Sequence, residues 1–367
     1  MGEWEEITLG ECAASSLDYG MNAAAIDYDG ENKYIRITDI DEKSSKYISD
    51  NPVSPAGELS DRYIVNENDI LFARTGASTG KTYLYDKKDG KLYFAGFLIR
   101  AKIKKEYNSA FVFSQTQTLQ YDKWVKLMSM RSGQPGINSQ EYASYKFSIP
   151  SKEEQTKIAR LLQLIDDRIS TQSQIIEELK TLKKGLCKLL LGNYHWGKYK
   201  ISDIAEIGRG RVINTIEINN QINPQYPVYS SQTSNDGIMG YLDGYDFEGE
   251  YITWTTDGAN AGTVFYRNGK FNCTNVCGTI KLNKHHNPYF VAQSLQLETR
   301  KFVSINLANP KLMNNVMASI EVYLPEINLQ NLISNLLQSI DNKMGTECNY
   351  LNNLTLQKKY LLQQMFI

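Results

Sequence analysis

Histidine is scarce, with three in 367 residues, His195, His285 and His286. That leaves little material for acid–base or metal chemistry built on imidazole. Cysteine is sparse and odd in number: Cys12, Cys187, Cys273, Cys277 and Cys348. Their scatter suits reduced thiols, not a disulfide framework. Cys273-x3-Cys277, with His285 and His286 downstream, lacks the tight paired spacing of zinc clusters. Buried or indifferent thiols are expected there, and no metal. No apolar run approaches the ~20 residues that span a bilayer. The start, Met-Gly-Glu-Trp-Glu-Glu, is acidic and has no apolar signal core. Glu6 stands where a myristoylation site wants Ser or Thr. A cytoplasmic protein without membrane contact is expected.

Net charge is also missing, at −1 overall, yet it is unevenly spread. Residues 1–70 carry 5 Lys and Arg against 16 Asp and Glu, whereas residues 81–105 carry 8 against 2. A local basic surface can bind nucleic acid even in a neutral chain. An ordinary solvated face would look the same.

The stretch ARTGASTGKT, residues 73–82, resembles a phosphate-binding loop but is one residue short. Five positions before Gly80 stands Thr75, and Gly76 comes too late. The residues after Thr82 alternate as a strand does, whereas a phosphate loop must open a helix. Asn287-Pro-Tyr-Phe similarly approaches an adenine-methyltransferase signature but lacks one Pro. No Gly-rich cofactor fingerprint accompanies it.

What the chain does have is a repeat. Shifted by 175, the segment from Phe147 lies on that from Val322 without gaps. Pro150 meets Pro325, Gln155 meets Gln330, Asp166 meets Asp341, and Lys183-Lys184 meets Lys358-Lys359. Upstream the shift drifts, as loop insertions would make it do. At 192 Trp4 meets Trp196, at 182 Gly76 and Gly80 meet Gly258 and Gly262, and at 179 Asn108 meets Asn287. Thr263 replaces Lys81 in the second copy, so the repeated element is a Gly-bounded turn between strands. Asn108 and Asn287 both read as caps of short helices.

After each Pro comes a long helix. In the first, the seam runs through Ile158, Leu162, Ile165, Ile169, Ile176 and Leu179, a heptad pattern of more than four repeats. In the second it runs through Ile333, Leu337, Ile340, Leu351 and Leu354. Ser151-x-x-Glu154 is a capping box for the first helix, and the second lacks one. Each helix is expected to be a rod of about 60 Å that pairs antiparallel with its repeat. Asp166 and Asp341, flanked by seam positions, suit helix packing better than catalysis.

The expected class is α+β: two globular heads separated by two long helices forming an antiparallel coiled coil, in a pseudo-two-fold internal repeat. The expected spans are 1–149, 150–194, 195–324 and 325–367. Tyr34–Thr38 and Tyr226–Ser230 are expected to be equivalent strands. So are Asp69–Ala73 with Tyr251–Thr255, and the strands that follow Ala95 and Cys277. Both heads are rich in Tyr, Asn, Ser, Thr and Gln, which suits polar readout of base edges and phosphates. No Ser/His/Asp order or paired-acid signature stands out.

The order head, P-x4-Q-x2-I-x2-L-L-x2-I-D, long helix with Lys-Lys near its end, and then the same again resembles the specificity subunit of type I restriction–modification systems. Ile149–Ala159 and the Leu-Lys-x-Leu-Lys-Lys-Gly stretch at 179–185 carry the resemblance. Leu329 departs from it where Glu is expected. The resemblance implies that each head is a target recognition domain reading one half of a split, asymmetric site in double-stranded DNA. The helices would set the spacing and dock two modification (methyltransferase) subunits, with restriction subunits joining them. It implies no catalysis and no cofactor in this chain; S-adenosylmethionine, ATP and Mg2+ would belong to the partners. Candidate DNA contacts are Arg74, Lys81, Arg131 and Gln134 in the first head, and Gln232, Asn260, Asn309 and Lys311 in the second. Arg suits guanine, and Asn or Gln suits adenine. A coiled-coil scaffold with protein-binding heads remains an alternative, as does the specificity module of a related restriction–methylation system.

Overall fold

The computed structural model describes residues 4–130, 133–192, 195–304 and 309–366. The chain divides into two units. One joins the residues up to Gln172 to those from Tyr350 on; the other is Ser173–Asn349.

Among the described residues the first head contains ten short strands: β1 (Glu5–Thr8), β2 (Asp18–Tyr19), β3 (Ala25–Asp27), β4 (Lys33–Ile35), β5 (Val53–Pro55), β6 (Asp69–Ala73), β7 (Thr82–Leu84), β8 (Leu92–Phe94), β9 (Leu98–Lys102) and β10 (Lys146–Ile149). Its main sheet runs β2-β9-β6-β7. Strand β6, Asp-Ile-Leu-Phe-Ala, is buried at every position, as a strand covered on both faces should be. The second head holds β11 (Gly197–Lys200), β12 (Ala205–Arg209), β13 (Tyr226–Tyr229), β14 (Ile238–Leu242), β15 (Phe247–Thr255), β16 (Val264–Cys273), β17 (Cys277–Leu282) and β18 (Glu321–Leu324). Six of them form one sheet, β12-β17-β15-β16-β13-β14.

Strand pairing bears out the drifting shifts. Each head is closed by a two-stranded ribbon from its two ends, Glu5 opposite Ile149 in one and Gly197 opposite Leu324 in the other. Ile70 pairs with Ala101, and its counterpart Ile252 pairs with Ile280. One expectation needs adjustment. β4 and β13 are equivalent, but Tyr34 faces Tyr93 while Val228, not Tyr226, faces Asn272. The slip is two residues, which keeps every side chain on its face and so is invisible to an alternation pattern.

The long helices run Lys152–Leu191 and Ile327–Met365. Pairing within each unit is antiparallel. In the first, Ile158 and Leu162 share a core with Leu362 and Phe366. In the second, Cys187 and Leu191 share one with Ile333 and Leu337. Ile176 and Leu354 are also buried, whereas Ile165, Ile169, Leu179, Ile340 and Leu351 are half-buried. The recurring acids and lysines now have a partner. Asp166 meets Lys358 at 2.6 Å in one unit, and Asp341 meets Lys183 at 2.7 Å in the other. Both pairs are partly exposed, so each contributes about 1 kcal/mol or less. Asp341→Lys is expected to lower the unfolding temperature of its unit, and adding Lys183→Asp should restore the ion-pair part of the loss but not the hydrogen bond that the Tyr289 hydroxyl donates to Asp341. Additive losses in that double-mutant cycle would show the pair to be uncoupled.

The Pro-x4-Gln motif fixes the helix to its head. Gln155 donates to Pro150 O at 2.8 Å and accepts the Asn108 N–H at 2.9 Å. Gln330 donates to Pro325 O at 2.7 Å and accepts the Asn287 N–H at 2.9 Å. Asn108 and Asn287 in turn cap their short helices by accepting from Phe111 N–H and Phe290 N–H. The Ser151 box contributes one longer bond, from Glu154 N–H at 3.4 Å.

Candidate nucleic-acid interface

The Gly-bounded turn recurs in both heads with the same backbone hydrogen bonds. In the first, Gly80 N–H donates to Ala73 O at 3.0 Å, and Gly76 N–H to Pro135 O at 2.9 Å. In the second, Gly262 N–H donates to Thr255 O at 2.9 Å, and Gly258 N–H to Pro310 O at 3.0 Å. All four glycines have positive φ, between 69° and 93°, which explains why these positions recur. The turn leads into strand β7, not a helix, so Lys81 is not the lysine of a phosphate loop.

A second glycine pair serves a different purpose. A Cβ at Gly20 would lie 2.2 Å from Ala95 O, and one at Gly210 would lie 2.2 Å from Cys273 O. Only bare backbone lets the strand approach so closely. The chain beside each glycine then forms a parallel bridge, Met21 with Ala95 and Arg211 with Thr274. This makes Tyr19 and Arg209 equivalent, and likewise Arg74 and Thr256.

The candidate residues fall around these turns. Arg74 borders a cleft of about 620 Å³ that also holds Tyr19, Arg36 and the exposed Phe97. Its guanidinium carbon lies 4.8 Å from the Tyr19 ring centroid. Burial alone would push the Tyr19 phenol up, but hydrogen bonding with Ser139 and the nearby Arg74 bring it below its ordinary value. Lys81 opens on a neighbouring cleft of about 580 Å³, with Lys126, Gln117 and Pro135. Gln134 is exposed beside that proline. Arg131 lies outside the described residues.

In the second head, Asn260 donates to Ser231 O at 3.2 Å and Gln232 donates to Ile238 O. Both amides therefore already hold loop backbone. Asn309 is exposed near Gly258, and Lys311 lies 3.6 Å from Asp257. Arg209 escaped the sequence reading because its counterpart is a tyrosine. It donates to Thr256 Oγ1 at 3.1 Å and pairs with Asp257 at 3.2 Å. Its one signal was the Gly-Arg-Gly run at 208–210.

The basic run at 81–105 is partly neutralised by the acidic run before it. Lys87 meets Glu67 at 3.1 Å and Lys91 meets Glu31 at 3.8 Å, while Arg100 is buried against Asp18. Sequence charge alone therefore overstates that surface. Cys273 and Cys277 are buried free thiols. Among the described residues no helix is long and apolar enough to cross a membrane.

Comparison with known proteins agrees with this geometry. The family model described as the type I restriction modification DNA specificity domain matches residues 1–181 and again 193–356. A chain of Mycoplasma pneumoniae assigned as the N-terminal part of a type I specificity subunit is 49% identical over 143 residues, 38% of this chain and 75% of its own length. Another from that organism, likewise assigned, is 38% identical over 218 residues, 55% of this chain and 78% of its own. The crystal structure of the type I restriction-modification S subunit from M. genitalium covers 100% of this chain and 96% of its own, with TM-score 0.70 and 16% identity, a likeness of fold. The chain belongs to the type I restriction–modification DNA specificity family.

Proposed function

We propose that this chain is the sequence-reading subunit of a type I restriction–modification complex, and that each head reads one half of a bipartite, asymmetric DNA site. The observation that carries this is one frame with two faces. The same turn, with the same backbone hydrogen bonds, carries Arg74 and Lys81 in one head where the other has the buried Thr256 and the half-buried Thr263. Two frames so alike with side chains so unlike suit two different half-sites. The long helices set the distance between the halves and dock two methyltransferase subunits. Leucines outside the helix seam support the docking. Leu189 is 76% exposed and Leu332 67%, beside an open groove of about 570 Å³, and Leu356 and Tyr360 are exposed in the first unit. Apolar groups left so open suit a covering partner. Restriction subunits join the same assembly. Catalysis, S-adenosylmethionine, ATP and Mg2+ belong to those partners, and the complex works in the cytoplasm.

The test is the adenine methylome of a methylation-free host that expresses this chain with its methyltransferase subunit. A split motif with two unlike halves and a fixed gap is expected. Complex formation without any methylated motif would sink the reading. On purified complex, binding to duplex carrying the motif should weaken linearly in log–log form with salt, as released counterions require. Absence of duplex binding would favour a protein-interaction scaffold.

A further inference from the structure

The cleft of the first head is walled largely by aromatic and apolar groups, among them Tyr19, Met21, Tyr34 and Phe97. Two guanidinium groups border it, and they are not equivalent. Arg36 is ion-paired, with Nε and Nη2 each 2.8 Å from the Asp39 carboxylate. The Arg74 side chain has no hydrogen bond or ion pair among the described residues; it has only its stack on Tyr19. That ring is itself fixed, because the Tyr19 hydroxyl accepts the Ser139 N–H at 3.2 Å and its backbone pairs with Ile99.

A guanidinium lying on a ring is oriented without being neutralised. Its donors remain at its edge, in a rigid planar fork. The second head supplies the contrast. There Arg209 reaches the counterpart of Arg74 from the adjoining strand, but Asp257 neutralises it at 3.2 Å. The same crossing of strands thus carries a cation in both heads, and among the described residues the one in the first head has no ion pair. A partner offering two acceptors side by side would complete it. Among base edges, guanine does so through O6 and N7. A phosphate also offers two oxygens to that fork, but Lys81 and Lys126 on the neighbouring cleft supply charge for the backbone, whereas the aromatic and apolar wall around Arg74 suits a base edge. We infer that Arg74 reads a guanine in the half-site of the first head. This rests on the reading of the chain as a DNA specificity subunit.

The test uses the full chain co-expressed with its methyltransferase subunit, with the methylome read for wild type, R74A, R74K and R74Q. Wild type should show a guanine in one half of its motif. R74A should keep the other half and the gap while discrimination at that guanine falls roughly 10- to 100-fold. R74K keeps the charge but not the fork, and should stay active with the same relaxed position. R74Q should shift the preference there toward adenine. A motif unchanged in R74A and R74K overturns the assignment. So does uniformly weaker methylation with an intact motif and a shallower salt dependence, which would make Arg74 a phosphate contact. A wild type that directs no bipartite motif would instead overturn the family-level reading, and the distinction shows before any variant is made.

Discussion

Arg100→Ala is expected to destabilise the first unit by about 3–5 kcal/mol at neutral pH, and to recover much of that in mildly acid solution. Arg100 is 1% exposed and sits in the central sheet between Asp18 and Asp69. It bonds Asp18 through two nitrogens, at 3.1 and 2.7 Å, and donates to the carbonyls of Ile64 and Arg62 at 2.7 and 2.9 Å. Its Nη1 lies 3.5 Å from Asp69. Asp18 reaches solvent, but Asp69 does not, with 4% side-chain exposure. Removing the cation strands a buried carboxylate whose pKa burial has already raised, against the pull of the Asn66 N–H and Arg100. An acid with a raised folded pKa favours folding when protonated. Its contribution is therefore lost as pH climbs from the unfolded carboxylate value through the folded one. Without Arg100 that window widens upward, so wild type and variant should converge as pH falls. Urea titrations at neutral and mildly acid pH measure the gap, and a gap independent of pH would refute the account. Because Asp18 precedes Tyr19 on β2, the variant should also loosen the Arg74 cleft.

Gln155→Ala and Gln330→Ala are each expected to cost about 2–4 kcal/mol in their own unit. Both glutamines are nearly inaccessible, at 2% and 1%. Each satisfies one backbone carbonyl and one backbone N–H from a distant turn, and leaving a buried group of that kind unpaired costs about 1–3 kcal/mol. The substitution to Glu separates polarity from shape. A carboxylate can still accept the Asn108 N–H but turns its other oxygen against Pro150 O, so Gln155→Glu should be destabilised at neutral pH and regain stability once protonated. Thermal unfolding that responds to Ala and Glu alike at every pH would mean the side chain only fills space.

The repeat was legible because helix positions are held by a seam and tolerate no slippage, whereas the heads absorb insertions in loops. That is why the 175 shift is exact over the helices while the head shifts drift. The glycine turns were legible for a similar reason, since positive φ leaves few alternatives. Partnerships across sequence were not. Gln155 was visible as a repeated residue, but its reach to Asn108, 47 positions away, is a property of the folded head. Arg209 was hidden by the exchange of roles with Tyr19. Nor could composition tell a free amide from one already committed to a loop, as Gln232 and Asn260 are.

The first unit is discontinuous, and this bears on how the chain is made. Leu362 and Phe366 lie in the same core as Leu9, Phe111 and Ile158, and Phe366 meets the rings of Trp4 and Phe111 at 6.2 and 5.4 Å. The second unit is one uninterrupted stretch. On the ribosome, then, the head synthesised first cannot close its core until residues beyond 350 have emerged, while the head synthesised second can already fold. Translation order and completion order run opposite ways. For the whole of that interval the nascent first head exposes an aromatic face that the helix beyond residue 350 covers.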